Sequence, residues 1–235
     1  MFFLSSLAWL YFGYALLRVY SLMHKRKKIV ISVDGNIGSG KSTLLGMLGS
    51  ACGYTVITEP TEEWKETGIL DKYYHDQKRN AFEFQSFVLT THDKYIQDAL
   101  KASDIVITER CPETHRSVFF EVLNDNGYFD AVQQKLYDCL FRCCATRVDA
   151  MIYIDSDVEL SYARVLSRGR VEEKYVKKSY LQTVHDKHQA WVEGFDRPVL
   201  TISGKAFKAN TAKVMAEIRE FVDFVQSAQA HGSMN

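Results

Sequence analysis

The chain of 235 residues is predicted to fold as an α/β three-layer αβα sandwich, a five-stranded parallel sheet between two layers of helix, on the strength of three observations. Strand-like and helix-like segments alternate from Ile29 onward. The strand-like segments are continuous apolar runs of β-branched residues, the pattern of strands covered on both faces. A glycine-rich turn then joins the first strand to the first helix, which places a phosphate site at the carboxyl ends of the strands.

The first strand is expected over Ile29 to Val33 and its helix over Lys41 to Ala51. The second strand, Tyr54 to Thr58, precedes a helix over Ala81 to Ala102, and the third, Asp104 to Thr108, precedes helices over Glu113 to Asn124 and Phe129 to Thr146. The fourth, Ala150 to Ile154, leads to helices over Val158 to Ser167 and Lys178 to Val192; the fifth, Pro198 to Ile202, leads to Thr211 to Gln226. There is no internal repeat and only 3 prolines, so residues 25–235 are read as a single domain. Net charge is +0, which supplies no basic excess for binding a nucleic acid polymer. The 5 cysteines show neither zinc-like pairing nor the density of a disulfide scaffold and read as reduced thiols.

Residues 1–24 stand apart. Met1 to Met23 is strongly apolar, broken only by Arg18, and a basic cluster from His24 to Lys28 follows it. It is long enough to span a bilayer, and the basic cluster would then keep the following domain cytoplasmic and close to the membrane. Two other readings stand beside a membrane tether. The absence of acidic residues before Asp34 suits a mitochondrial transit segment, and the stretch could also pack on the domain as an extra helix.

The motif that carries most chemistry is Gly35-x-x-x-x-Gly40-Lys41-Ser42, a P-loop pattern met at every fixed position. Gly35, Gly38 and Gly40 permit positive φ and close backbone approach, so the amides of Gly35, Asn36, Ile37, Gly38, Ser39, Gly40, Lys41, Ser42 and Thr43 can cradle phosphate oxygens at a helix start. Lys41 can reach the outer phosphates, and the Ser42 hydroxyl falls where a phosphate-bound Mg²⁺ sits. Glu59, beside Pro60, and the pair Glu109-Arg110 fall at the exits of the second and third strands, next to this cradle. Arg164, Arg168 and Arg170 flank Gly169, the composition of an Arg-rich lid that would stabilise charge on a moving phosphoryl group.

Together these elements resemble the deoxyribonucleoside kinase family, from about Ile29 to Trp191. The likeness rests on the loop Gly35 to Ser42, the Glu-Pro-x-x-x-Trp element at Glu59, Pro60 and Trp64, Tyr74 with Phe84-Gln85-Ser86, Glu109-Arg110, and the lid with Glu173. The resemblance implies ATP as phosphate donor, Mg²⁺, a deoxyribonucleoside substrate and a homodimer. It implies Glu59 as general base toward the 5′-hydroxyl and Arg110 as its positioning partner, with Glu109 and Ser42 at the metal. Lys41, Arg168 and Arg170 would neutralise the transferred group, with Arg164 a neighbouring lid contact. Tyr74 and Glu173 would hold the 3′-hydroxyl. Gln85 would read the base edge, and Trp64, Phe84 and Phe119 would line the base site.

Two departures stand out. Cys111 and Pro112 follow Glu109-Arg110 where the family has Ser, so the local backbone is expected to differ. His92 and His115 occupy positions where family members carry Arg and Asp or else small or apolar groups, and they are expected to shape base choice with a pH dependence near neutrality. The missing Arg and Asp tilt the expectation toward a pyrimidine acceptor. The alternatives are a catalytically silent kinase-like subunit of a membrane complex, which needs no such constellation, and a nucleoside monophosphate kinase, which needs cations for an acceptor phosphate.

Overall fold

The computed structural model describes residues 28–144, 146–170, 173–174 and 176–232. The apolar segment 1–24 lies outside the described residues, and with it the tether and its rivals. Among the described residues no helix is long and apolar enough to cross a membrane.

Five parallel strands form one sheet in the order β2-β3-β1-β4-β5. They are β1 (Ile29–Gly35), β2 (Thr55–Ile57), β3 (Ile105–Glu109), β4 (Ala150–Asp155) and β5 (Val199–Ser203). All residues of β1 are buried, as its continuous apolar run requires for the central strand. Its register sets Val33 beside Glu109 on β3 and Gly35 beside Ile154 on β4, so the first acidic strand exit lies next to the start of the phosphate loop.

Helices α1 (Lys41–Cys52) and α11 (Thr211–Gly232) cover one face of the sheet. Leu44, Leu45, Leu48, Ile218 and Val222 pack there against Ile31, Val33 and Ile152. The long α4 (Gln77–Ala102) starts four residues before the expected Ala81, because the Asp76 carboxylate accepts the Arg79 backbone N–H at 3.1 Å and caps it. Two short helices, α2 (Thr61–Glu66) and α3 (Ile69–His75), fill the stretch expected to be loop after β2. Pro60 opens the first and Gly68, at φ 71°, separates them.

After β3 the chain runs through α5 (Pro112–Thr114), a π-helical turn (His115–Phe120) and α6 (Glu121–Asp125), where a regular helix is expected from sequence. Phe120 leaves that turn to stack on Phe129 at 4.5 Å and on Tyr137 of α7 (Ala131–Cys144) at 4.3 Å. Aromatic pairs at such offsets add to the gain from burial alone. Helices α8 (Val158–Arg168), α9 (Lys178–Glu193) and α10 (Ala206–Ala209) complete the described chain.

Candidate active site

The phosphate loop is shaped by what its glycines lack. Gly38 has φ 80°, and a Cβ there would lie 2.4 Å from the Ser161 carbonyl oxygen of α8. A Cβ on Gly35 would meet the Ile154 carbonyl oxygen at 2.6 Å, and Gly40 has φ 110° at the start of α1. Asn36 pins the loop from beneath: its Nδ2 donates to the Leu181 carbonyl at 2.9 Å and its Oδ1 accepts the Ile37 N–H at 2.8 Å. Lys41 folds back so that Nζ donates to the carbonyls of Gly35 at 3.2 Å and Asn36 at 3.0 Å. Burial, reinforced by Arg110, lowers its ammonium to about 8 against the pull of Glu109, Glu59 and Asp34. The ammonium therefore stays mostly charged near neutral pH, and an arriving phosphate would hold it so.

Arg164 holds the same loop from above. Its guanidinium donates to the carbonyls of Ser39 at 2.8 Å, Gly38 at 3.3 Å and Gly204 at 3.0 Å, tying the loop to the end of β5. Sequence reasoning put Arg164 among the lid contacts; its hydrogen bonds make it a clamp on the cradle itself. The Ser42 hydroxyl lies 3.2 Å and 3.1 Å from the two carboxylate oxygens of Glu109, which is 7% exposed. These hard oxygen donors fit Mg²⁺.

The acceptor end is organised by one ion pair. Arg110 donates to the Glu59 carboxylate, with side chains 7% and 14% exposed. Arg110 has φ 61°, and its backbone N–H is held by the Val33 carbonyl at 3.0 Å. Non-glycine residues occupy that region at a cost and favour functional sites. Its guanidinium carbon lies 4.7 Å from the centre of the Phe119 ring, a cation–π contact that fixes its direction. Burial alone would raise the Glu59 carboxyl; the adjacent Arg110 overrides it and holds the group well below the usual carboxylate range. Glu59 is therefore ionised and an acceptor at neutral pH. Behind the pair, Asp34 accepts a hydrogen bond from Thr114 at 2.7 Å, and burial pushes its carboxyl up to about 6. The Cys111-Pro112 departure is absorbed locally, since the Thr114 hydroxyl accepts the Cys111 N–H at 3.1 Å and Pro112 begins α5.

A cavity of about 890 Å³ joins the two ends. Ile37, Gly38, Gly40, Lys41, Ser42, Thr43 and the arginines Arg164, Arg168 and Arg170 line its phosphate side, with Glu59, Glu109 and Arg110 at the middle. Trp64, Tyr74, Phe84, Gln85, His115, Phe119 and Glu173 line the remainder. Trp64 is oriented by its indole N–H, which donates to the Thr91 hydroxyl at 3.0 Å, and it meets Phe84 edge-on at 6.2 Å. Gln85 lines the cavity at 4% exposure, and its buried Oε1 has no hydrogen-bond partner among the described residues. Gly35, Asn36 and Ser39 lie outside the cavity lining and shape the loop from within.

His92 is also absent from the wall. It is fully buried behind His115, with Nδ1 2.8 Å from His115 Nε2 and Nε2 2.9 Å from the Thr108 hydroxyl. Burial lowers His92 to about 4 and His115 well below its ordinary value. The expected pH dependence near neutrality is thereby corrected: burial holds both rings neutral there. On the lid, Arg168 Nε donates to Glu173 at 2.7 Å, so the lid arginine is held by the residue assigned to the sugar.

Sequence reasoning missed Leu70, Tyr73, Val88, Tyr180, Phe207 and Thr211, which also face the cavity. Val88 was within reach, one helical turn beyond Gln85 on the same face of α4. Tyr180 and Phe207 come from elements far along the chain and carry no local signal.

A family model described as deoxynucleoside kinase matches residues 31–223. A probable deoxycytidine kinase of Fowlpox virus is 38% identical over 194 residues, covering 78% of this chain and 81% of the relative. Human mitochondrial thymidine kinase 2 is 32% identical over 176 residues, covering 72% of this chain and 66% of the relative. A deoxyadenosine/deoxycytidine kinase of Bacillus subtilis is 29% identical over 185 residues, covering 76% and 84%.

Proposed function

Because the chain belongs to the deoxynucleoside kinase family, we propose that it transfers the γ-phosphoryl group of ATP to the 5′-hydroxyl of a deoxyribonucleoside, with a pyrimidine acceptor favoured. The observation that carries this reading is the cavity in which an ionised Glu59, aimed by Arg110, shares a wall with Lys41 and Ser42. In the proposed step Glu59 accepts a hydrogen bond from the 5′-hydroxyl and takes its proton as the new P–O bond forms. Its lowered basicity is no obstacle, since phosphoryl transfer through a loose transition state demands alignment more than deprotonation in advance. Lys41, Arg168 and Arg170 neutralise the phosphoryl oxygens. Mg²⁺, when bound at Ser42 and Glu109, would offset charge on the donor phosphates.

Gln85, with Oε1 unpartnered, supports recognition of a base edge, and Trp64, Phe84 and Phe119 offer it apolar walls. Tyr74 and Glu173 are assigned to the 3′-hydroxyl, so base and sugar are both held before the lid acts. A homodimer is part of the reading, supported by an apolar stripe along α7. Val132 is 65% and Leu136 50% exposed, and Cys139 and Cys143 continue the same face.

The test is an ADP-release panel over deoxynucleosides, ribonucleosides and nucleoside monophosphates. Turnover with deoxynucleosides, highest for pyrimidines, is expected. Silence with every acceptor would favour a scaffold role, and selective turnover of monophosphates would replace this reading with the monophosphate kinase.

A further inference from the structure

The mechanism above leaves two buried, mutually hydrogen-bonded histidines without a task. Gln85, Val88 and His92 occupy positions three and four apart on one face of α4, so His92 continues the stripe that carries the unpartnered amide. His115 reaches over from the π-helical turn, lines the cavity, and has its Nε2 committed to His92. Its Nδ1 is then the ring nitrogen left for a ligand. The far end of the chain is the Thr108 hydroxyl, fully buried on β3, which can donate or accept equally well.

Such a chain has two self-consistent polarities with the same number of protons. In one, the Thr108 hydroxyl donates to His92 Nε2, His92 Nδ1–H donates to His115 Nε2, and His115 Nδ1–H points into the cavity as a donor. In the other, His115 Nδ1 is bare and accepts, His115 Nε2–H donates to His92, and His92 Nε2–H donates to Thr108. Every nitrogen between the two histidines and Thr108 is satisfied in both; the second leaves the Thr108 hydroxyl proton without an acceptor among the described residues, so the first is the resting polarity and an amine in the cavity must draw out the second. Because burial keeps both rings neutral, one nitrogen of each remains an acceptor.

We infer that His115, backed by His92 and Thr108, is a reversible hydrogen-bond partner for the acceptor base, donating to an exocyclic oxygen or accepting from an exocyclic amine. The inference rests on the kinase reading above and deepens it: the pocket takes oxo and amino bases alike, thymine and cytosine among pyrimidines. A fixed donor or acceptor at the same place would discriminate strongly between them, since the wrong base leaves a buried group unpaired.

The test alters the residue farthest from the ligand. Thr108→Val removes the hydroxyl and leaves His92 Nε2 without a partner. A buried bare nitrogen is better tolerated than a buried orphan N–H, so the chain is biased toward the polarity in which His115 donates. The unaltered protein should show kcat/KM for thymidine and deoxycytidine within about tenfold of each other, and Thr108→Val should move the ratio toward thymidine by about tenfold. An unchanged ratio, or a shift toward deoxycytidine, overturns the inference. Should that variant fail to fold, ¹⁵N NMR of the histidines in the unaltered protein decides. The protonated nitrogens of both rings should exchange between the thymidine and deoxycytidine complexes, and identical tautomers in the two refute the idea. Absence of turnover on all deoxynucleosides would remove the kinase reading itself, whereas turnover with an unmoved ratio removes only the relay.

Discussion

Replacing Arg110 by Met isolates the charge at the centre of the site. Methionine keeps much of the reach and volume of the arginine stem, and a φ of 61° is unfavourable for both residues, so the backbone strain cancels in the comparison. What remains is a Glu59 carboxylate, 14% exposed, deprived of its partner. Breaking a buried pair from one side costs ~3–5 kcal/mol, and the lower end applies because Lys41 still faces the carboxylate. A loss of about 3 kcal/mol near neutral pH is therefore expected. Its pH dependence is the sharper test. In the unaltered protein Arg110 holds Glu59 below its ordinary 4.5, so the pair contributes stability above that pH and loses it as pH falls through the folded value. In Arg110→Met burial acts on Glu59 without its strongest counter-charge, and its pKa rises. The unsupported charge is then relieved as pH drops, and the deficit of the variant narrows toward pH 4.5. Urea denaturation of both proteins at several pH values, followed by tryptophan fluorescence, measures it. A deficit that is constant with pH, or one below about 0.5 kcal/mol near neutrality, would refute the claim that this pair is buried and mutually dependent.

Three further outcomes follow from the same geometry. Glu59→Ala should lose ~10²–10⁴-fold in turnover while calorimetry shows ADP still bound, whereas Lys41→Ala should weaken both; near-full activity of Glu59→Ala would remove the base. Gly38→Ala sets a methyl 2.4 Å from the Ser161 carbonyl oxygen at φ 80° and should cost about 2–3 kcal/mol, read as a lower Tm together with weaker nucleotide binding. His92 and His188, lowered to about 4 and about 3 by burial, stay neutral when folded while the unfolded chain protonates near 6.5. The unfolded state then binds more protons, so stability should fall as pH drops from 6.5 toward 4, and a flat denaturation midpoint over that window would contradict their burial.

The strands and the phosphate loop were legible because their signals are local: continuous apolar runs, and glycines spaced for a turn. Glu59 and Glu109 could be singled out because a strand exit next to such a loop is a place as well as a residue type. The helices Thr61–Glu66 and Ile69–His75 were not legible. They are too short for periodicity to declare itself, and their ends are set by Pro60 and Gly68 rather than by capping side chains. Arg164 was visible as a charge, but its grip on the Gly38 and Ser39 carbonyls depends on α8 lying against the loop. His92 and His115 were noticed as departures; that one stands behind the other, against Thr108, is a fact of tertiary packing alone.

The widened turn from His115 to Phe120 makes this stretch depend on how it is wound. Its extra residue lets His115 face the cavity while Phe120 stays stacked on Phe129 and Tyr137. Winding the same residues as an ordinary α-helix, with none deleted, would swing the two halves by roughly 100° about the axis, so that no single rotation could satisfy both. Side-chain exchanges in this stretch are thus open to gradual change only while they keep the widened turn that lets both ends meet their partners.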